Sequence, residues 1–232
     1  MTTMDLTPDE LEPEGLPTAV LRLPGVYRPQ EDTRLLTRAI AAAGVRPGAR
    51  VLDLCTGTGA QAVAAAKAGA GSVTAVDLSR RALAAAWLNG VLNRAPVRVR
   101  RGGVSSVLRS GPYDVVVANP PYVPCPRPTT PSTRAWDAGP DGRAVLDELC
   151  PAAAGLLRPG GFLLLVHSEV ADVPRSLSQL QAGGLRAEVV SRTRVPFGPV
   201  MRERAPYLRE RGLLGPDEDT EVVTVLRADR VA

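Results

Sequence analysis

The sequence has a single histidine, three cysteines, few aromatic residues at 3% of the chain, and one lysine, Lys67. Each scarcity excludes something. One histidine cannot build a His-rich metal centre, and no metal site is expected; His167, at a strand end, reads as a packed or surface residue rather than a catalytic one. Cys55, Cys125 and Cys150 lie far apart with no C-x-x-C pair. They predict a reducing, cytoplasmic setting and no disulfide framework. There is no aromatic-rich stripe of the kind that stacks nucleobases. No apolar run approaches the roughly 18 residues that a membrane span needs, and the N-terminus shows no basic-then-apolar signal pattern.

What is present suffices for one sizeable core: 232 residues, 44% of them hydrophobic. The net charge of +4 is carried almost wholly by arginine, which permits an acidic or nucleic-acid partner without requiring one. Residues 1–18 hold Asp5, Asp9, Glu10, Glu12 and Glu14 with no base, and read as a flexible acidic tail. Residues 19–232 read as a single domain. Leu35, Leu36, Ala39 and Ile40 recur at helical spacing, predicting a helix over 31–43 that stops at Gly44.

From Arg50 short apolar strands alternate with helices. "RVLDL", "SVTAVDL", "VRVR", "YDVVVAN" and "GGFLLLVH" read as strands, with "LRAEVVSRT" and "TEVVTVLRA" as a closing pair. Between them, "GAQAVAAAKAG", "RRALAAAWLNGVLN" (capped by Ser79), "GRAVLDELCPAAAGLL" and "VPRSLSQLQAGG" read as helices. Leu83, Trp87 and Val91 share a stripe that places Trp87 in the core. The alternation predicts an α/β fold: a mostly parallel seven-stranded sheet with helices on both faces. Ligands of such sheets sit at the carboxyl ends of the strands.

The first strand ends in "VLDLCTGTG", with Asp53 before a turn through Gly57 and Gly59. Gly57 to Ala62 fits G-x-G-x-x-A, which alone also fits a dinucleotide fingerprint. Asp77, ending the second strand, is placed to accept from ribose hydroxyls. Asp53 weighs against a pyrophosphate, because a carboxylate repels it, and in favour of S-adenosylmethionine, which carries a sulfonium and an ammonium and no phosphate. The fourth strand ends in "NPPYVP", where prolines end the ladder. The Asn119 side-chain carbonyl and the Pro120 carbonyl offer two acceptors for the hydrogens of an NH2 group, and Tyr122 a flat wall beside it. Holding a nitrogen in line with a methyl group is catalysis by orientation.

These motifs, with "VYRPQEDT" and "AWDAGPDGRAVLDEL", resemble those of HemK-type class I S-adenosylmethionine-dependent methyltransferases over about residues 20–230. The pattern at Trp136, Gly139, Asp141 and Gly142 is similar to the short branch that lacks a separate N-terminal helical domain. The resemblance implies a Rossmann-like fold and N5-methylation of glutamine in the Gly-Gly-Gln loop of a release factor, with an activator subunit left open. It implies that Thr33, Asp53, Gly57, Gly59, Asp77, Leu78, Gly103, Val104 and Asn119 bind the cofactor, and that Asn119, Pro120, Pro121 and Tyr122 perform the reaction. Methylation of adenine N6 or guanine N2 is the alternative, since those amino groups present the same geometry. A non-catalytic cofactor-binding scaffold is a third reading. The chain departs from the family in having Cys55 where a glycine is usual, and Gly103 where an aspartate usually holds the adenine. It also carries a long insert, 194–220, with Arg202, Arg204, Arg209 and Arg211 against Glu203 and Glu210. The insert reads as a solvated, salt-bridged helix, or else as a docking surface for an acidic or ribosome-associated partner.

Overall fold

The computed structural model describes residues 20–126 and 135–231, so the expected acidic tail lies outside the described residues. The elements run α1 (Glu31–Ala42), β1 (Arg50–Leu54), α2 (Ala60–Lys67), β2 (Ser72–Asp77), α3 (Arg80–Leu92), β3 (Val97–Arg101), α4 (Val104–Val107) and β4 (Tyr113–Ala118). They continue with α5 (Leu146–Leu156), β5 (Leu157–Ser168), a 3-10 turn (Glu169–Ala171), α6 (Val173–Ala182), β6 (Arg186–Pro196), α7 (Pro199–Glu210) and β7 (Thr220–Asp229).

The seven strands form one sheet in the order β3-β2-β1-β4-β5-β7-β6. β7 is antiparallel to both neighbours, and the remaining pairs are parallel. The expected mostly parallel sheet is therefore observed. Its apolar strands are buried on two sides because helices cover both faces. On one face Leu35, Leu36 and Ile40 of α1 and the alanines of α2 pack against Val51, Val73, Val115 and Val117. On the other, Leu149 and Leu156 of α5 and Leu180 of α6 pack against Leu52, Leu54, Val116 and Leu165. The chain winds outward from β1 through β2 to β3, then returns to β4 on β1's other side. The carboxyl ends of β1 and β4 thus form the switch point where a crevice opens.

Two expectations about burial are overturned. Trp87 is not in the core: it is 55% exposed, with Val91 at 56%. Positions four apart drift about 40° per step around a helix of 3.6 residues per turn, so the stripe leaves the sheet after Leu83. The face of α3 that packs is Ala82, Ala85, Ala86, Asn89 and Gly90, small residues that bring the helix close to its neighbours. The insert is likewise more than a solvated helix. Met201, Ala205 and Leu208 recur on one face of α7 and join the core. Arg204 pairs with the buried Asp137 at 3.1 Å, and the Tyr207 hydroxyl donates to the Pro140 carbonyl at 3.1 Å. Arg202, Arg209 and Arg211 remain exposed.

Candidate active site

Two cavities meet at the switch point. The larger, of about 860 Å3, is walled by the β1 turn from Cys55 to Thr58, by Asp77 at the end of β2 and Leu78 after it, by Gly103 and Val104 after β3, and by Thr33 of α1. The smaller, of about 130 Å3, is walled by Asn119 to Val123, Asp32, Glu221 and the start of α7. Tyr27, Asn119, Pro121 and Ala135 line both.

The larger cavity is shaped by backbone. Gly57 and Gly59 sit at φ +54 and +81, a region that L side chains rarely adopt. They serve different ends. A Cβ on Gly59 would lie 2.7 Å from Ala86 Cα, so Gly59 lets α3 approach the turn. A Cβ on Gly57 meets no protein atom within 4 Å, so Gly57 leaves room in the crevice. Asp77 braces the turn: its carboxylate accepts from the Gly57 N–H at 3.0 Å and the Ser79 N–H at 2.8 Å. Cys55, in the position where a glycine is usual, adopts φ +61, which explains the usual residue. Burial pushes its thiol pKa upward, with Asp77 and Asp53 adding to the effect, which disfavours the thiolate.

Asp53, expected to face the ligand, does not line the cavity. It is fully buried, one layer beneath the turn, accepting from the Thr56 hydroxyl at 2.5 Å while Oδ1 has no partner. Burial raises its pKa to about 7, although the Thr56 hydroxyl and the Ala62 N–H oppose the shift. A cation in the crevice favours the ionised form through the field rather than by contact. Gly103 caps the short α4, and a Cβ there would meet Leu78 Cδ2 at 3.9 Å, an ordinary contact. This end of the crevice is walled by Gly103, Val104 and Leu78, with Glu148 of α5 accepting from the Ser105 N–H at 3.0 Å.

The smaller cavity is organised by Asp32, a residue within "VYRPQEDT" for which neither period nor motif chemistry predicts a role. Its Oδ2 accepts from Tyr27 OH at 3.0 Å, Asn119 Nδ2 at 3.0 Å and Tyr122 OH at 3.4 Å. Its Oδ1 accepts from the Thr33 N–H at 2.6 Å and hydroxyl at 3.2 Å. A carboxylate can only accept, so the amide nitrogen of Asn119 must face it, and the amide oxygen is turned away from it. Burial and the nearby Asp32 charge hold both Tyr27 and Tyr122 protonated, their pKa values raised.

Behind this wall, Val123 pairs with the chain around Asp137: its N–H donates to the Trp136 carbonyl at 2.9 Å, and its carbonyl accepts from Ala138 at 3.0 Å. Arg143 anchors that loop. Its guanidinium is 1% exposed and donates to the Ala171 carbonyl, to the Asp172 carbonyl at 2.9 Å, to Ser176 at 3.1 Å, to Gln179 at 2.9 Å and to Asp147 at 3.0 Å. His167 is fully buried, its Nδ1 against the Ser168 carbonyl at 2.9 Å, and burial lowers its pKa to about 4. It lines neither cavity. Among the described residues no group of three or more His, Cys, Asp or Glu could hold a metal ion.

The methyltransferase small domain profile matches residues 18–189. The chain belongs to the methyltransferase small domain family. The methyltransferase is 29% identical over 181 residues to a Methanocaldococcus jannaschii protein provisionally named as a protein N5-glutamine methyltransferase, covering 77% of this chain and 90% of that one. It is 40% identical over 148 residues to the release factor glutamine methyltransferase of Deinococcus radiodurans, covering 60% of this chain and 52% of that one. It thus spans about half of that relative. Among solved structures, it is similar to the E. cuniculi Mtq2-Trm112 complex, described as responsible for methylation of the eRF1 termination factor. There the TM-score is 0.61 at 25% identity, covering 89% of this chain and 99% of that one. The HemK-type resemblance of the methyltransferase is borne out by these relatives.

Proposed function

We propose that the methyltransferase binds S-adenosylmethionine in the larger cavity and transfers its methyl group to the N5 of a protein glutamine, in a peptide-chain release factor. The observation that carries this reading is the meeting of the two cavities at Asn119. Asn119, together with Tyr27, Pro121 and Ala135, lines both the space sized for a nucleoside cofactor and the pocket sized for a single planar group. Cavities of roughly 300–1,000 Å3 hold such cofactors. The residues present suit the cofactor: Gly57 leaves its crevice open, Asp77 stands within it to meet ribose hydroxyls, and buried Asp53 lies beneath it, where its field favours a cation. When bound, that cofactor supplies an electrophilic methyl group.

The chain's own work is then positional. Asp32 holds the Asn119 amide nitrogen, which leaves the amide oxygen to accept from the incoming NH2 group. The Pro120 carbonyl, with no N–H of its own to contend with, is the second acceptor. Pro121 and Tyr122 close the side walls. Thr33, Leu78, Gly103 and Val104 complete the cofactor's surroundings in this reading.

The pocket's charge favours glutamine over a nucleobase. Its described walls carry Glu31, Asp32 and Glu221 and no lysine or arginine. A nucleic-acid acceptor brings phosphates that such a pocket repels, whereas a neutral side chain on a flexible loop enters freely. A base within a duplex must also be flipped out, at a cost of a few kcal/mol. A small activator subunit and a cytoplasmic setting accompany this reading, and the Mtq2 structure is itself a complex, with Trm112. No helix among the described residues is long and apolar enough to cross a membrane.

The test is mass spectrometry of a release factor incubated with S-adenosylmethionine and the wild-type or Asn119→Ala chain. A methyl group on the Gly-Gly-Gln peptide with wild type alone supports the reading, with cofactor binding by the variant largely kept. Label appearing only in an RNA or DNA fraction of a cell extract overturns the acceptor.

A further inference from the structure

We propose that Glu221 is the proton acceptor of the methyl transfer. The inference rests on the reading that an NH2 group enters the smaller cavity, and it concerns what happens to that group's hydrogen. When the nitrogen takes the methyl group, an N–C bond forms and the methyl–sulfur bond breaks, its pair remaining on sulfur. The nitrogen then carries one hydrogen too many. An N–H bond breaks with its pair left on nitrogen, and the proton needs an acceptor.

The titratable side chains on the described walls are Tyr27, Tyr122, Glu31, Asp32 and Glu221. Both tyrosines are protonated and already donate to Asp32. The Asp32 oxygens are taken up by Tyr27, Thr33, Asn119 and Tyr122. Glu31 is at the mouth, its side chain 45% exposed and paired with Arg34 at 2.5 Å. Glu221 alone of this set is both buried, at 8% exposure, and left with an unpartnered oxygen, Oε2.

Its place comes from the sheet. β7 runs antiparallel, so its first residues arrive at the carboxyl ends of β4 and β5, beside the switch point. Glu221 lies opposite Val195 of β6, which lines the same pocket. The groups facing it are Asp32 and Glu31 of α1, Tyr27 before α1, Tyr122 after β4 and Ser168 of β5. The Ser168 hydroxyl approaches the carboxylate without completing a hydrogen bond. On β6, Arg194 is engaged with Thr220 at 3.2 Å, and around the start of α7 only Gly198, Val200 and Met201 line the wall. Burial, with Asp32 adding to it, raises the Glu221 pKa to about 7, which gives a carboxylate real proton affinity near neutral pH.

The experiment compares wild type, Glu221→Gln and Glu221→Asp on whichever acceptor the wild-type chain labels in cell extract. Glutamine keeps the shape and removes the base. It is expected to lower kcat by about a hundredfold or more, as loss of a general base does, with the acceptor KM and S-adenosylhomocysteine affinity changed by no more than about twofold. Glu221 must be ionised to accept, so wild-type kcat rises with pH through about 7. That rise disappears in Glu221→Gln and persists, at lower rate, in Glu221→Asp. Wild-type kcat in Glu221→Gln overturns the proposal. So does a slowed variant that keeps the rise, which then belongs to Asp53, also raised to about 7. Label on RNA or a small amine overturns the glutamine reading while the same comparison still decides Glu221. No label on any acceptor overturns both.

Discussion

Replacing Asp32 by asparagine tests the acceptor geometry through one atom. The swap is nearly isosteric and keeps an oxygen for the Thr33 N–H, which Asp32 Oδ1 accepts at 2.6 Å. It puts an NH2 group where Oδ2 now meets Asn119 Nδ2 at 3.0 Å. Two amide nitrogens cannot hydrogen-bond to each other, so Asn119 is driven to turn over and offer its oxygen to residue 32. The tyrosine hydroxyls can reverse their roles, because a hydroxyl both donates and accepts. Asn119 then presents donors to the incoming NH2 group instead of an acceptor. A lost hydrogen bond plus a mismatched donor is worth about 1–3 kcal/mol, or roughly five- to 150-fold in kcat. Asp32 does not line the larger cavity, so S-adenosylhomocysteine affinity by calorimetry should stay within about twofold. The assay is initial methyl incorporation into the acceptor. A full rate in Asp32→Asn would refute the claim that Asp32 sets the Asn119 amide; a lost rate with equally lost cofactor binding would show general damage instead.

The two turn glycines should separate folding from binding. Gly59→Ala meets Ala86 Cα at 2.7 Å at a positive φ and should lower urea stability by about 1–3 kcal/mol, whereas Gly57→Ala should fold and bind S-adenosylhomocysteine more weakly; similar melting and affinity in both variants would contradict the division. Gly103→Asp, whose Cβ meets Leu78 Cδ2 only at 3.9 Å, should restore an adenine partner and tighten cofactor binding, and a folded variant with unchanged affinity would mean that adenine is held elsewhere. Asp53 has its pKa raised from 3.8 to about 7 in the folded chain, so folding binds its proton more tightly and stability should fall as pH rises through that window, then level off. Asp53→Asn should remove that contribution from urea titrations at pH 4 to 8; an unaltered slope would show that the carboxyl is not the origin.

The strand and helix plan was legible because each apolar run carries its own period and punctuation. "VVVAN" before two prolines can only be a buried strand that stops, and Ser79 does cap α3, accepting from the Ala82 N–H at 3.3 Å. The positions of the glycine turn, Asp77 and Asn119 were legible for a related reason: they lie at strand ends, which the pattern locates, and the structure lines the crevice with them. Trp87 was misplaced because spacing alone does not say which small-residue face of a helix packs, and Asp53 because a strand end does not reveal a side chain's depth.

The sequence by itself determined the fold class, the backbone crevice and the residues that end the central strands, since these depend on local period and turn chemistry. Only the tertiary structure decided the company those residues keep. Asp32 and Asn119 are 87 positions apart yet share a 3.0 Å hydrogen bond, and no periodicity encodes such a meeting. Glu221 reaches the same pocket because β7 turns antiparallel between β5 and β6. The insert became a wall because one face of α7 found the core. Long-range pairing sets which charges face one another, and burial then sets what those charges can do.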